Sequence, residues 1–302
     1  MRRLWWMGLW RLADPKISLA SMASILLGAA AAARVGPIDW GWLSLTVGGV
    51  FAIEVAKNAS GEIVDFDSGA DLRVGVRDRS PFSGGKRVLV DGLLTRRQTA
   101  AIAAASYLLG AGAGLWVAVA REPRVLWIGL VGVGLAYFYH GAPLRLSYRG
   151  LGEIAVGLAY GPLIASGTYL VQRQALDLHV ALLSVPLGLL IAAFLWINEF
   201  PDFDADLAAG KRTLVVRLGR ERAAHVFAAI LAAAFAIAAS LPATGAPPTV
   251  LAGLLGVVPA ATAARRLLAA PTHTPRIVPA QAQTLLSFLL YSLGTGVGLL
   301  AA

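Results

Sequence analysis

The chain has 302 residues, 57% of them hydrophobic and only 14% charged, with a mean hydropathy of +0.69. Soluble domains carry roughly 25% charged residues, so the composition excludes an ordinary soluble enzyme and points to an all-α polytopic membrane protein. The net charge of +9 is read as membrane topology and contact with anionic lipid or substrate rather than with nucleic acid. The absence of cysteine excludes disulfide and thiolate chemistry.

Residues 1–16, MRRLWWMGLWRLADPK, begin basic and place Trp5, Trp6 and Trp10 close together. With no small-residue cleavage site before the first long apolar run, they are expected to form an amphipathic segment at headgroup level. Nine apolar segments of spanning length follow, at 17–33, 40–56, 100–120, 125–138, 151–171, 180–197, 223–241, 250–264 and 282–300. One transmembrane domain over 1–302 is expected, with two polar connecting loops, 57–97 and 198–222. The frequent Ala and Gly suit close helix packing in lipid.

Each of those two loops opens on a cluster of acid. The first reads KNASGEIVDFDSGAD from Lys57 to Asp71 and holds Glu62, Asp65, Asp67 and Asp71. If its first part is helical, Asn58, Glu62 and Asp65 share one face. The second reads NEFPDFDAD from Asn198, with Asp202 and Asp206 again four apart. Eight of the 17 acidic residues of the chain lie in these two stretches. Unpaired, they would repel one another in a poorly polar setting. Oxygen ligands gathered in this way suit a hard cation such as Mg²⁺. Solvated Asp-rich loops are the alternative. The four histidines, including His140, show no metal-ligand spacing.

Base follows acid in both stretches: Arg73, Arg77, Arg79, Lys86 and Arg87 after the first, Lys211, Arg212 and Arg217 after the second. Carboxylates that hold Mg²⁺, and cations that neutralise the remaining oxygens, are together suited to a diphosphate. Basic residues also set orientation. With a cytoplasmic N-terminus, the inner connections hold 22 of the 26 Lys and Arg, leaving Arg34, Arg121, Arg124 and Arg173 outside. An inner or plasma membrane protein is expected, with both acidic stretches cytoplasmic and the C-terminus outside.

These residues resemble the UbiA superfamily of intramembrane prenyltransferases over nearly the whole chain. DFDSGAD, GLLTRRQ, YRGLGE with GPLIASGTY, and AGKRTLVVRLG are similar to its 1,4-dihydroxy-2-naphthoate polyprenyltransferase-like branch. The resemblance implies nine helices around a central cavity open to lipid. It also implies Mg²⁺-dependent transfer of an isoprenyl group from a polyprenyl diphosphate to an aromatic acceptor through an allylic cation. It carries over most directly to Asp65, Asp202 and Asp206, with Asn58, Asp71 and Asn198 as further metal ligands. Lys57, Arg73, Lys86, Arg145 and Lys211 are then expected at the diphosphate. Tyr139, with Tyr137 and Tyr160, would shelter the cation or orient the diphosphate. Segment 81–87, PFSGGKR, reads as a flexible cap.

One position departs from the family pattern, which usually has Asn then Asp where this chain has Gly61 then Glu62. Glu62 is expected to reach the metal, directly or through a water, with Gly61 making room and Asn58 supplying the missing amide. The acceptor stays open between a naphthoate-like ring, a homogentisate-like ring, a chlorophyllide, a haem vinyl group and an ether-lipid glycerol phosphate. A terpene-cyclising relative uses no acceptor. A cation-binding transporter is a further alternative, but it would place ionisable residues at mid-bilayer depth, where only Glu54 comes near.

Overall fold

A computed structural model describes residues 2–302, and every regular element among them is helical. The N-terminal segment forms α1 (Arg2–Ala13), which leaves Trp6 and Trp10 exposed and half-buries Trp5. Pro15 then starts α2 (Pro15–Val35), its fixed φ suited to a first helical turn. The Asp39 side chain accepts from the Gly41 and Trp42 amides to start α3 (Trp40–Ser68). A left-handed Gly69, at φ 78°, ends α3 and leads into the short α4 (Ala70–Arg73).

A capping box between Thr95 and Gln98 opens α5 (Arg96–Ala120). After α6 (Val125–His140) the next span is broken. It runs as α7 (Gly152–Leu158), a π-helical stretch (Ala159–Leu163) around Gly161 and Pro162, and α8 (Ile164–Arg173). The missing Pro162 amide and the non-helical Gly161 account for the break. Then come α9 (Leu178–Ala208), α10 (Leu214–Leu218) and α11 (Arg220–Ser240). A 3₁₀ stretch (Pro248–Gly256) leads into α12 (Val257–Ala269), and α13 (Thr274–Leu300) closes the chain.

Seven helical segments are long and apolar enough to cross a membrane: 3–35, 96–120, 152–173, 178–208, 220–244, 248–269 and 274–300. Of the other two predicted spans, α6 has only 16 residues and α3 carries both an apolar and an acidic half. The chain is therefore an integral membrane protein by its helices. The structure corrects the expected loops. Residues 57–68 continue α3, and 198–208 continue α9 through Pro201. Nothing before Gly69 or Gly210, both at positive φ, forces either helix to stop.

Helix α9 lies at the centre, packed by α7, the π stretch, α11 and α13, while α3 packs on α5 and α6. The approach of the π stretch to α9 depends on glycine: a Cβ on Gly161 would lie 2.7 Å from the Gly188 Cα. That contact brings Tyr160 towards α9. The C-terminal ends of α3, α6 and α9 thereby surround one cavity.

Candidate active site

The cavity has a volume of about 590 Å³. On α3, helical periodicity puts Lys57, Asn58, Gly61, Glu62 and Asp65 in its wall, and α4 adds Asp71. Asp67 points away, is half exposed and pairs with Arg96 at 2.8 Å. On α9, Asn198, Asp202 and Asp206 recur every four residues and line the opposite wall with Glu199. Eight carboxylates and seven Lys or Arg line this space, so neither sign dominates.

Asp65 is approached at both of its oxygens. Tyr148 donates its hydroxyl to Oδ1 at 2.8 Å, and His140 Nε2 lies 3.6 Å from Oδ2. Burial and then the Asp65 charge push the Tyr148 hydroxyl up, so it stays a donor. Burial, Asp65 and Glu62 push Asp71 up to about 8. Lys211 sits 3.5 Å from Asp206 Oδ1 and over the Tyr148 ring at 5.8 Å. Burial opposes its charge, but Asp206, Asp65 and Asp202 outweigh that and hold its pKa well above the usual value.

The segment between Val74 and Thr95 folds over this wall. Glu62 Oε1 accepts the Leu89 amide at 2.8 Å, and Arg87 donates to the Asp71 carbonyl at 3.1 Å. Lys86 pairs with Asp14 at 2.6 Å, and Thr274 donates to Asp78 at 2.9 Å. Phe82 meets Phe194 of α9 edge to face at 5.7 Å. Gly85, at φ 73°, is packed so closely on Asp71 that a Cβ would overlap its carboxyl group. The expected cap thus lies over the site and is tied to it by these contacts.

Several predicted residues sit differently from expectation. Asn58 spends its amide nitrogen on the Leu12 carbonyl at 2.9 Å, and Glu62 spends one oxygen on Leu89. Arg73 is exposed, does not line the cavity and donates to the Ser68 carbonyl at 3.1 Å, which serves the end of α3. Arg145 is also exposed and outside the lining, with its guanidinium over the Tyr148 ring at 5.7 Å. Tyr137 is half exposed and packs on Tyr107 away from the cavity. Lys57, Lys86, Lys211, Tyr139 and Tyr160 do line it.

Sequence reasoning missed Tyr148, His140, Asp14 and Glu199. Tyr148 had a signal at the head of YRGLGE and Glu199 one inside NEFPDFDAD, whereas His140 and Asp14 had none.

Magnesium fits this wall. Asn198 Oδ1 and Asp202 Oδ1 are buried without a hydrogen-bond partner, a costly arrangement that an oxygen-seeking cation relieves. Among the described residues, no three His, Asp or Glu side chains converge to form a closed cage. An open arrangement suits Mg²⁺, which usually keeps waters and shares its coordination with substrate phosphates.

Beyond Lys57, Tyr139 and Tyr160 a second hollow of about 200 Å³ opens, lined by α3, α5, α6 and the π stretch. Its walls are almost entirely apolar, including Val50, Ile53, Val133 and Leu163. A charged cavity that borders an apolar groove within the membrane defines a class: an enzyme for an anionic headgroup attached to a long hydrocarbon.

The model of the UbiA prenyltransferase family matches residues 21–299, and the chain belongs to that family. Within it the chain is a prenyltransferase of the 1,4-dihydroxy-2-naphthoate polyprenyltransferase-like branch. It is 28% identical over 241 residues to the 1,4-dihydroxy-2-naphthoate octaprenyltransferase of Bacillus subtilis, covering 79% of this chain and 74% of that one. The fold is similar to the apo structure of a UbiA homolog from Aeropyrum pernix, with a TM-score of 0.66 at 20% identity over 93% and 98% of the two chains. It is also similar to a UbiA homolog from Archaeoglobus fulgidus bound to GPP and Mg²⁺, with a TM-score of 0.60 at 14% identity over 98% and 100%.

Proposed function

We propose that the protein transfers an isoprenyl group from a polyprenyl diphosphate to an aromatic, naphthoate-like acceptor, a quinone-building step of the menaquinone type. The carrying observation is the pairing of Asp65 and Asp71 with Asn198, Asp202 and Asp206 across one cavity that borders the apolar groove. Those five residues would hold magnesium, with one remaining oxygen each from Asn58 and Glu62 available to it or to its waters. Magnesium, when bound, neutralises diphosphate charge and improves it as a leaving group.

The side chains do the rest. Lys57, Lys86 and Lys211 neutralise diphosphate oxygens. The groove takes the isoprenyl chain and excludes water. Lys57 lies over the Tyr139 and Tyr160 rings, 5.5 and 5.9 Å from their centroids. Both rings also line the groove, where the parts of them not covered by Lys57 would border the allylic carbon.

We also infer that α3 and α6 cross the bilayer, which gives nine crossings. The 22 to 4 split of Lys and Arg supports a cytoplasmic N-terminus and site and an outside C-terminus.

The test is incubation of the purified protein in lipid nanodiscs with Mg²⁺, geranylgeranyl diphosphate and 1,4-dihydroxy-2-naphthoate. Mass spectrometry is expected to find a prenylated naphthalene product. Release of unmodified acceptor alone contradicts the reading.

A further inference from the structure

Glu54 is an acidic residue that stands apart from the two acidic walls and does not line their cavity. It lies on α3 one turn before Lys57, only 5% exposed, in the wall of the apolar groove. Both of its carboxylate oxygens are buried without a hydrogen-bond partner. Lys57 and the hydroxyls of Tyr160, Ser18 and Ser21 are the polar groups that face it. An ionisable side chain in a membrane-spanning segment is costly, and so is a buried oxygen left unpaired. A carboxyl group kept there fits a partner that arrives with the substrate.

We propose that Glu54 is the base that takes the proton from the ring hydroxyl of the acceptor, and that it thereby selects hydroxyl-bearing aromatic acceptors. The role rests on the prenyl-transfer reading above. Distance along α3 supports it. Eleven residues separate Glu54 from Asp65, about 16 Å at 1.5 Å per residue. That span takes up a metal–oxygen bond of about 2 Å and the diphosphate itself. It then leaves room for a near-attack gap of about 3–3.5 Å, an aromatic ring, and an O–H···O hydrogen bond of about 2.7 Å. Glu54 therefore stands where the far edge of an acceptor would lie, with its reacting carbon at the allylic C1. The rest of the isoprenyl chain continues down the groove.

The step balances. The allylic C1–O bond breaks, and its electron pair leaves on the diphosphate. The acceptor O–H bond breaks towards a Glu54 oxygen, and that pair becomes a ring C=O bond. The displaced ring π pair forms the new bond to C1. The keto tautomer then loses its ring-carbon proton to the departed diphosphate or to water, and the oxygen recovers a proton from Glu54. One proton is released overall, and Glu54 ends as it began.

The test compares wild type, Glu54→Gln and Glu54→Asp in nanodiscs, with 1,4-dihydroxy-2-naphthoate as acceptor. Two readouts are taken: steady-state transfer, and the Mg²⁺-dependent thermal stabilisation given by the non-reacting geranylgeranyl thiolodiphosphate. General-base catalysis is worth 10²–10⁴-fold, so Glu54→Gln is expected to lower kcat by about 100-fold or more. Its stabilisation by the diphosphate analogue should stay at the wild-type level, and Glu54→Asp should recover part of the rate. A Glu54→Gln kcat within about threefold of wild type overturns the role. Joint loss of transfer and of stabilisation overturns it too, because Glu54 would then serve the fold or the donor site. If wild type itself shows no stabilisation, the donor reading fails, a result distinct from failure of Glu54 as a base.

Discussion

The His140 imidazole fills the space beside Gly61: a Cβ on Gly61 would lie 2.5 Å from His140 Cε1 and 2.6 Å from Nδ1. The same ring approaches Asp65 Oδ2 at 3.6 Å. Glycine at 61 thus admits a histidine to the metal wall. Gly61→Asn, which restores the residue usual in the family, is expected to push His140 aside and lower kcat/KM about tenfold or more. Adding His140→Ser should recover much of that loss, giving the coupling typical of contacting residues, on the order of 1 kcal/mol or more. A double-mutant cycle of transfer rates checks this. Additive losses would mean that the two side chains do not share the space.

Tyr148 holds Asp65 through its hydroxyl, which donates to Oδ1 at 2.8 Å. A hydrogen bond to a charged group is worth about 1.5–3 kcal/mol. Tyr148→Phe is therefore expected to raise the Mg²⁺ concentration needed for half-maximal transfer by about 10-fold or more. The thermal midpoint should move little. A magnesium titration of both proteins decides it.

How far the sequence revealed the site depends on what each residue contacts. Asp65, Asp202 and Asp206 were legible because helical spacing alone puts each acid on the face that meets the cavity. The extent of α3 and α9 was less so, since polar sequence at a helix end reads as loop until a terminator such as Gly69 is recognised. Arg73 and Arg145 carry the right charge, but their chains serve a helix end and an aromatic ring outside the cavity. His140 was invisible because it reaches the site through tertiary packing against a glycine 79 positions away. Glu62 was placed on the correct face, yet its hydrogen bond to Leu89 depends on a loop whose path no periodicity encodes.

That bond gives Glu62 a second task, as an anchor of the cover between Val74 and Thr95. Glu62→Gln keeps an oxygen for the Leu89 amide, whereas Glu62→Ala leaves the amide unpaired. Limited proteolysis near Gly84–Gly85 is expected to be faster for Glu62→Ala than for wild type and unchanged for Glu62→Gln. Both variants should need more Mg²⁺ if the second oxygen serves the metal. Wild-type protease resistance in Glu62→Ala would show that the cover does not depend on this contact.

Orientation is tested separately. A reporter fused after Ala302 is expected on the outer face, and one inserted near Gly84 on the cytoplasmic face, from the bias of basic residues. Both reporters on one side would mean an even number of crossings between them and would remove α6, which lies between the two sites, from the spanning set.

The central claim is that the two acidic walls act together on a magnesium-bound diphosphate. Its most direct test is the rate of prenyl transfer for wild type, Asp65→Asn and Asp202→Asn in EDTA and across a Mg²⁺ titration. The account predicts no transfer in EDTA and full recovery with Mg²⁺ for wild type. It predicts losses of about 100-fold or more in each variant at saturating Mg²⁺, with folding unchanged, since each removes a charged oxygen ligand and no core packing. Full wild-type activity in EDTA, or either variant at the wild-type rate, would contradict it.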